Sequence, residues 1–229
     1  MLTLLFDIDG TLLRTRGAGL AAIRQTMQEM FGISSDLPRV AVHGRTDCGI
    51  LSDFFEPFGL DLEKHRRVFL ATYCGHLHRT LPEYDGNVLP GVIPLLERLS
   101  SRNDVTIGLL TGNCERAAQI KIEHFELKPY FCGLGGFGDH ATNRNEVARD
   151  ALRAVRQRVQ SSFDEDRLWV IGDTIDDITC ARAINAKSMV VETGGCNAEE
   201  LGTKNPDVCL EDLSDVDAVL SNWLSDPLV

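Results

Sequence analysis

Residues Leu4-Leu5-Phe6-Asp7-Ile8-Asp9-Gly10-Thr11-Leu12 end an apolar run abruptly in two carboxylates and follow them with a glycine. A run that is apolar throughout fits a strand buried on both faces of a parallel sheet. Strand side chains alternate, so Asp7 and Asp9 share a direction while Ile8 packs inward. Gly10 permits the sharp turn that follows. Two acids at the end of a buried strand are costly unless a metal, a proton or hydrogen bonds compensate them. The pair is therefore a candidate active site.

The remaining pattern extends that strand into a sheet. Strands are expected at Leu2–Asp7, Val105–Leu110, Cys132–Gly138, Leu168–Ile171, Ser188–Glu192 and Val208–Leu210. Helical patterns lie at Val92–Ser101, Cys114–Phe125, Glu146–Gln160 and Ile175–Ile184, with a short closing helix at Asp215–Leu224. Strands alternating with helices imply an α/β fold, a parallel sheet covered on both faces. In such sheets ligands sit at the carboxyl ends of the strands. The stretch from about Thr15 to Asn87 breaks the alternation with three helical patterns, Ala18–Phe31, Cys48–Phe58 and Leu62–Thr80. It reads as an all-helical cap over residues 16–87, inserted into a core of residues 1–15 and 88–229. Emerging just beyond Asp7 and Asp9, such an insertion would lie above the crevice as a lid.

Charge and cysteine usage narrow the function classes. A net charge of −11 argues against a general nucleic-acid binder, whose affinity comes from Lys and Arg on phosphates. Seven cysteines without a CxxC pair fit reduced, idle thiols. The apolar N-terminal run is stopped by Asp7, and nothing approaches the ~18 apolar residues of a membrane span. A cytoplasmic protein with a small-molecule partner is expected, with its oligomeric state left open.

Three further strand ends carry polar signals. Thr111-Gly112-Asn113 offers a hydroxyl and backbone amides before a helix, His140-Ala141-Thr142-Asn143-Arg144 offers a cation, and Gly172-Asp173-Thr174-Ile175-Asp176-Asp177 offers more acids. In this order the segments resemble the motifs of the haloacid dehalogenase (HAD) superfamily. Asp7-Ile8-Asp9-Gly10-Thr11 is similar to its DxDGT motif, Leu110-Thr111-Gly112-Asn113 to its second motif, and Gly172-Asp173…Asp177 to its GDxxxD motif. The helical insertion lies where the family carries its cap. The branch resembled is that of phosphoglycolate phosphatase-like and beta-phosphoglucomutase-like members, with a Rossmann-like core.

The resemblance implies a Mg2+-dependent phosphatase. Asp7 would be the nucleophile and Asp9 the general acid and base. Mg2+ would bind the Asp7 and Asp173 carboxylates and the Asp9 carbonyl, with Asp177 in support. Gly10, Thr111, Gly112 and Asn113 would hold phosphate oxygens. The family's third motif is a lysine, and no lysine stands between Lys128 and Lys187. Arg144 is the better-placed cation, because Lys128 precedes the third strand. The loop His43-Gly44-Arg45-Thr46-Asp47 resembles the branch's specificity loop, which makes Arg45 a candidate substrate contact; an ordinary helix-capping loop is the alternative. Asp9 favours phosphate esters over halides or phosphonates, since those branches lack the second acid. A phosphomutase, or a non-catalytic binding protein on the same scaffold, remains an alternative. Asp176 is a rival for the place of Asp177. His76 and His78, two apart on a helix, are expected to be solvated, and Gly135-Gly136 and Gly194-Gly195 to be turns.

Overall fold

The computed structural model describes residues 1–34 and 37–224. Its strands are β1 (Leu2–Phe6), β2 (Leu13–Arg14), β3 (Asn87–Val88), β4 (Val105–Leu110), β5 (Gly135–Gly136), β6 (Leu168–Gly172), β7 (Lys187–Val191) and β8 (Val208–Leu210). Its helices are α1 (Ala18–Phe31), α2 (Asp47–Phe55), α3 (Leu62–Thr80), α4 (Val92–Ser100), α5 (Glu115–His124), α6 (Arg144–Val159), α7 (Ile175–Ala183), α8 (Ala198–Gly202) and α9 (Val216–Ser221).

Six strands form one parallel sheet in the order β5-β4-β1-β6-β7-β8. The period-two alternation of each strand divides its side chains between two cores. Leu4 and Phe6 of β1, Leu109 of β4 and Ile171 of β6 join the cluster on one face with α4 and α9. Leu5, Leu110 and Val170 join the other, under α6 and α7. Ile8 packs with the first of these, as its position between two acids requires. Burying each such side chain contributes about 1.5–3 kcal/mol. Trp169 is core, edge-on to Trp223 with ring centroids 6.3 Å apart.

The helical insertion has its own apolar centre. Phe31, Phe55 and Phe69 meet with centroids 5.2 to 6.3 Å apart, and Cys114, Ala117 and Ile120 around α5 extend that cluster into the core. The two connecting segments pair as an antiparallel ladder, Leu13 with Val88 and Arg14 with Asn87. Short strands thus sit where only linkers were expected.

Other expectations change too. The strand at Cys132–Gly138 shrinks to β5, because Gly133 has a left-handed φ of 78° and breaks extension just upstream. Gly135-Gly136 is therefore edge strand rather than turn. α6 begins at Arg144, two residues early, because the Asn143 side chain accepts from the Glu146 N–H and caps it. His76 is not solvated: its ring bonds Glu29 at 2.7 Å, tying α3 to α1. All seven cysteines are free thiols. Among the described residues no helix is long and apolar enough to cross a membrane.

Candidate active site

The central position of β1 brings Asp7 between the ends of β4 and β6. There Asp7, Asp173 and Asp177 place carboxylate oxygens within 4.8 Å of one another, all buried. The first turn of α6 delivers Arg144 into the middle of them. Its guanidinium donates to Asp7 Oδ1 at 3.0 Å, to the Leu110 carbonyl at 3.0 Å and to Asp177. Burial works against that charge, but the Asp177 and Asp7 carboxylates hold Arg144 protonated well above its usual range. Burial also raises the Asp7 carboxyl, to about 6, against the pull of Arg144.

Asp173 is enclosed more tightly still. Thr11 donates to its Oδ1 at 3.1 Å. Its Oδ2 is buried and has no hydrogen-bond partner among the described residues. Desolvation, and then the charges of Asp177 and Asp7, push its carboxyl well above the usual range. A Cβ at Gly194 would stand 1.6 Å from that oxygen and one at Gly10 2.5 Å, so only glycine admits Asp173 here. At Gly10, φ is +94° as well. An orphaned buried oxygen among three acids is the donor set of a hard divalent cation. Asp177 is differently placed. Its Oδ2 already accepts from the backbone N–H groups of Asp173 and Thr174 and from the Thr174 hydroxyl, and its Oδ1 from Arg144. It braces the loop and the arginine, with little lone-pair capacity left for a metal. Asp176 faces Gly44 of the insertion, not the acid cluster.

Asp9 lies one turn on, its side chain 39% exposed. Its Oδ2 accepts from Asn113 Nδ2 at 2.7 Å and from Lys121 Nζ. Asn113 Nδ2 also reaches Thr111 Oγ1 at 2.8 Å, and Asn113 Oδ1 accepts from Lys121 at 2.6 Å. The sequence reading missed Lys121. Its signal was there: it falls on the buried face of α5 with Ala117, Ala118 and Ile122, where a lysine needs a partner.

Fewer backbone amides are free here than an anion cradle at this helix start was expected to offer. The first amides of α5 are already taken, Cys114 N–H by Asp47 Oδ2 and Glu115 N–H by Asp139 Oδ2, each at 2.8 Å. Thr111 and the turn Gly112-Asn113 border the cleft ahead of them. The insertion seats on this turn. Asp47 N–H donates to the Gly112 carbonyl at 2.7 Å, and a Cβ on Gly112 would stand 1.9 Å from the Arg45 carbonyl oxygen. Thr46 caps α2, and the Asp47 carboxyl is raised to about 6 by burial, with Lys121 pulling it down. The Arg45 guanidinium is held by Asp53 at 2.8 Å and the Gly49 carbonyl at 3.0 Å while still bordering the cleft. Lys128 pairs with Glu123 at the surface. The cleft measures about 400 Å³ and is lined by Asp7, Asp9 and Arg144 together with Leu20, Ile23 and Tyr73 of the insertion.

A family model described as haloacid dehalogenase-like hydrolase matches residues 4–191. The chain belongs to this family. Pyrophosphatase PpaX of Oceanobacillus iheyensis is 23% identical over 224 residues, covering 96% of this chain and 97% of its own. A PpaX-named relative from Caldanaerobacter subterraneus is 24% identical, with 91% and 90% covered. Among solved structures, a beta-phosphoglucomutase from Clostridium difficile has a TM-score of 0.72 at 16% identity, with 97% of each chain covered. A predicted phosphatase from Clostridium acetobutylicum scores 0.71 at 21% identity, with 96% and 98% covered. These likenesses carry the fold: this HAD-like hydrolase has the architecture of the family's phosphatases and phosphomutases.

Proposed function

We propose that this hydrolase is a Mg2+-dependent phosphatase acting on a small phosphorylated metabolite, phosphoglycolate-like or a sugar phosphate, with residues 16–87 as its cap. The observation that carries the reading is the nucleophile-and-cation pair at the end of β1. Asp7 lines the cleft with one carboxylate oxygen fixed by Arg144, which leaves its other oxygen for the substrate. That free oxygen attacks phosphorus, giving an aspartyl-phosphate as the P–O bond to the leaving group breaks. Asp9 supplies the proton to the departing oxygen, then takes one from the water that hydrolyses the intermediate. Arg144 keeps Asp7 aligned and offsets charge on the phosphoryl group. The Thr111 hydroxyl and the Gly112 amide, with Gly10 opposite, receive the remaining oxygens, and the Asn113 N–H, which donates to Thr111 Oγ1 at 3.3 Å, holds that hydroxyl in place. Arg45 borders the leaving group from the cap.

The Asp7 and Asp173 carboxylates and the Asp9 carbonyl would hold Mg2+, with Asp177 bracing them. Bound there, the cation lowers the repulsion between nucleophile and substrate. The orphaned Asp173 Oδ2 supports this assignment. The names of the PpaX relatives make pyrophosphate a further substrate to try.

The test is phosphate release from a panel of phosphorylated metabolites and p-nitrophenyl phosphate, with Mg2+ and with excess chelator. Release that needs Mg2+ is expected, with Ca2+ a poor substitute because its looser coordination misplaces the nucleophile. Full activity in chelator would refute the metal assignment. Return of the phosphoryl group to a sugar phosphate, without net release, would mark a mutase.

A further inference from the structure

Lys121 is the one buried lysine among the described residues. An ammonium taken out of water loses several kcal/mol of solvation, which only close partners offset. Two carboxylates are near enough to influence it, Asp9 and Asp47. Its ion pair is with Asp9, and its second bond, at 2.6 Å, is to the same Asn113 whose Nδ2 also holds Asp9. The three side chains form a closed triangle. Both donors converge on Asp9 Oδ2, neither on Oδ1, and Asp9 lines the cleft.

We propose that Lys121 is a positioning residue for Asp9, clamping Oδ2 with Asn113 so that Oδ1 alone carries the proton. The inference rests on the phosphatase reading above. In the first half-reaction the Oδ1–H bond breaks as the departing oxygen, leaving with the P–O electron pair, takes the proton. The alcohol is released and Asp9 is left as a carboxylate beside the Lys121 ammonium. In the second, Oδ1 takes a proton from water as the water oxygen bonds to phosphorus and the bond from Asp7 to phosphorus breaks. The charge of Lys121 matters because Asp7, Asp9, Asp47, Asp173 and Asp177 gather at and beside the cleft against two buried cations among the described residues, Arg144 and Lys121. Without the clamp, a side chain as exposed as that of Asp9 rotates away from the leaving oxygen, and misplacement is expensive in rate.

Leaving-group chemistry separates this role from a structural one. A p-nitrophenolate departs without protonation, whereas an alkoxide does not. Wild type, Lys121→Met and Lys121→Arg are compared on p-nitrophenyl phosphate and on an alkyl phosphate by the single-turnover rate of leaving-group release, which reads the first half-reaction alone, since the second is common to both esters. Lys121→Met is expected to lose about 10²-fold in that rate on the alkyl ester, the scale of a general-acid contribution. On the nitrophenyl ester it loses no more than a few-fold. Asp9→Asn shows the same selectivity, and adding Lys121→Met to it costs little more, as for groups acting as one unit. Lys121→Arg keeps the charge and recovers part of the alkyl-ester rate. Equal losses on both esters, or none on the alkyl ester, overturn the inference. If Lys121→Met melts early or fails to fold, Lys121→Arg alone decides, since a loss confined to the alkyl ester is expected of it too and an equal loss on both overturns it. Wild-type inactivity on both esters removes the phosphatase reading and this inference with it, whereas equal losses remove the inference alone.

Discussion

Arg144 spans a distance that a lysine cannot. One terminal nitrogen holds Asp7 and the other holds Asp177 and the Leu110 carbonyl. A point charge can serve only part of that set. Arg144→Ala should therefore lose at least ~10²-fold in kcat/KM, and Arg144→Lys should recover a part of it. Lys128→Ala should be silent, because its pair with Glu123 is solvated. Steady-state kinetics of the three proteins check this, and a harmless Arg144→Ala would remove the arginine from the mechanism. Asp47 offers a different readout. Burial raises its carboxyl from 3.8 to about 6, so the folded state holds the proton more tightly than the unfolded chain. Its contribution to stability is then present below pH 4 and lost as pH rises to about 6, on the order of 3 kcal/mol in all. Asp47→Asn should flatten the fall in stability across that window, measured by urea denaturation from pH 4 to 7. An unchanged slope would contradict the burial argument. Asp7, Asp9 and Asp173 were legible in the sequence because each follows closely on a strand end, where chain order predicts convergence, whereas Arg144 was singled out only as the cation standing in for the lysine of the resembled family. Lys121 and Asp47 were not legible, since their places depend on which face of α5 meets the insertion.

Among the elements, the helices were the easiest to read. α1 and α3 run as their patterns indicate, Ala18–Phe31 and Leu62–Thr80, because Gly17, Gly32 and the Asp61 cap mark their ends. β5 was misjudged because a strand rich in glycine has no side chains to show alternation. The loop from His43 to Asp47 could be flagged from sequence, but its docking could not, because it depends on contacts with Gly112 and Asp176 far along the chain. That docking predicts the effect of one methyl group. Gly112→Ala would drive a Cβ into the Arg45 carbonyl, 1.9 Å away, so the loop of the insertion must lift from the turn at Gly112. A drop of at least ~10-fold in kcat/KM is expected, in line with small misplacements at a reacting centre. Circular dichroism should stay native. Wild-type turnover in Gly112→Ala would mean that the loop need not seat for catalysis.

For the whole molecule, the two apolar faces of the sheet and the polar carboxyl edge divide labour between stability and chemistry. The cores on either side of β1 hold it rigid, and the acids at its end are destabilising until something neutralises them. A cation binding only the folded state should raise stability by about 2.7 kcal/mol at a hundred times its Kd. Thermal melts with and without Mg2+ should therefore differ in wild type and coincide in Asp173→Asn, where the enclosed carboxylate is lost. A shift that survives in Asp173→Asn would place the metal elsewhere. The central claim is that Asp7 becomes phosphorylated during turnover. Rapid acid quench of a single turnover with Mg2+, followed by peptide mass spectrometry, tests it most directly. The account predicts a phosphoryl group on Asp7, lost in Asp7→Asn together with phosphate release. Turnover in the quenched sample with Asp7 unmodified, or an Asp7→Asn protein with wild-type kcat, would contradict it.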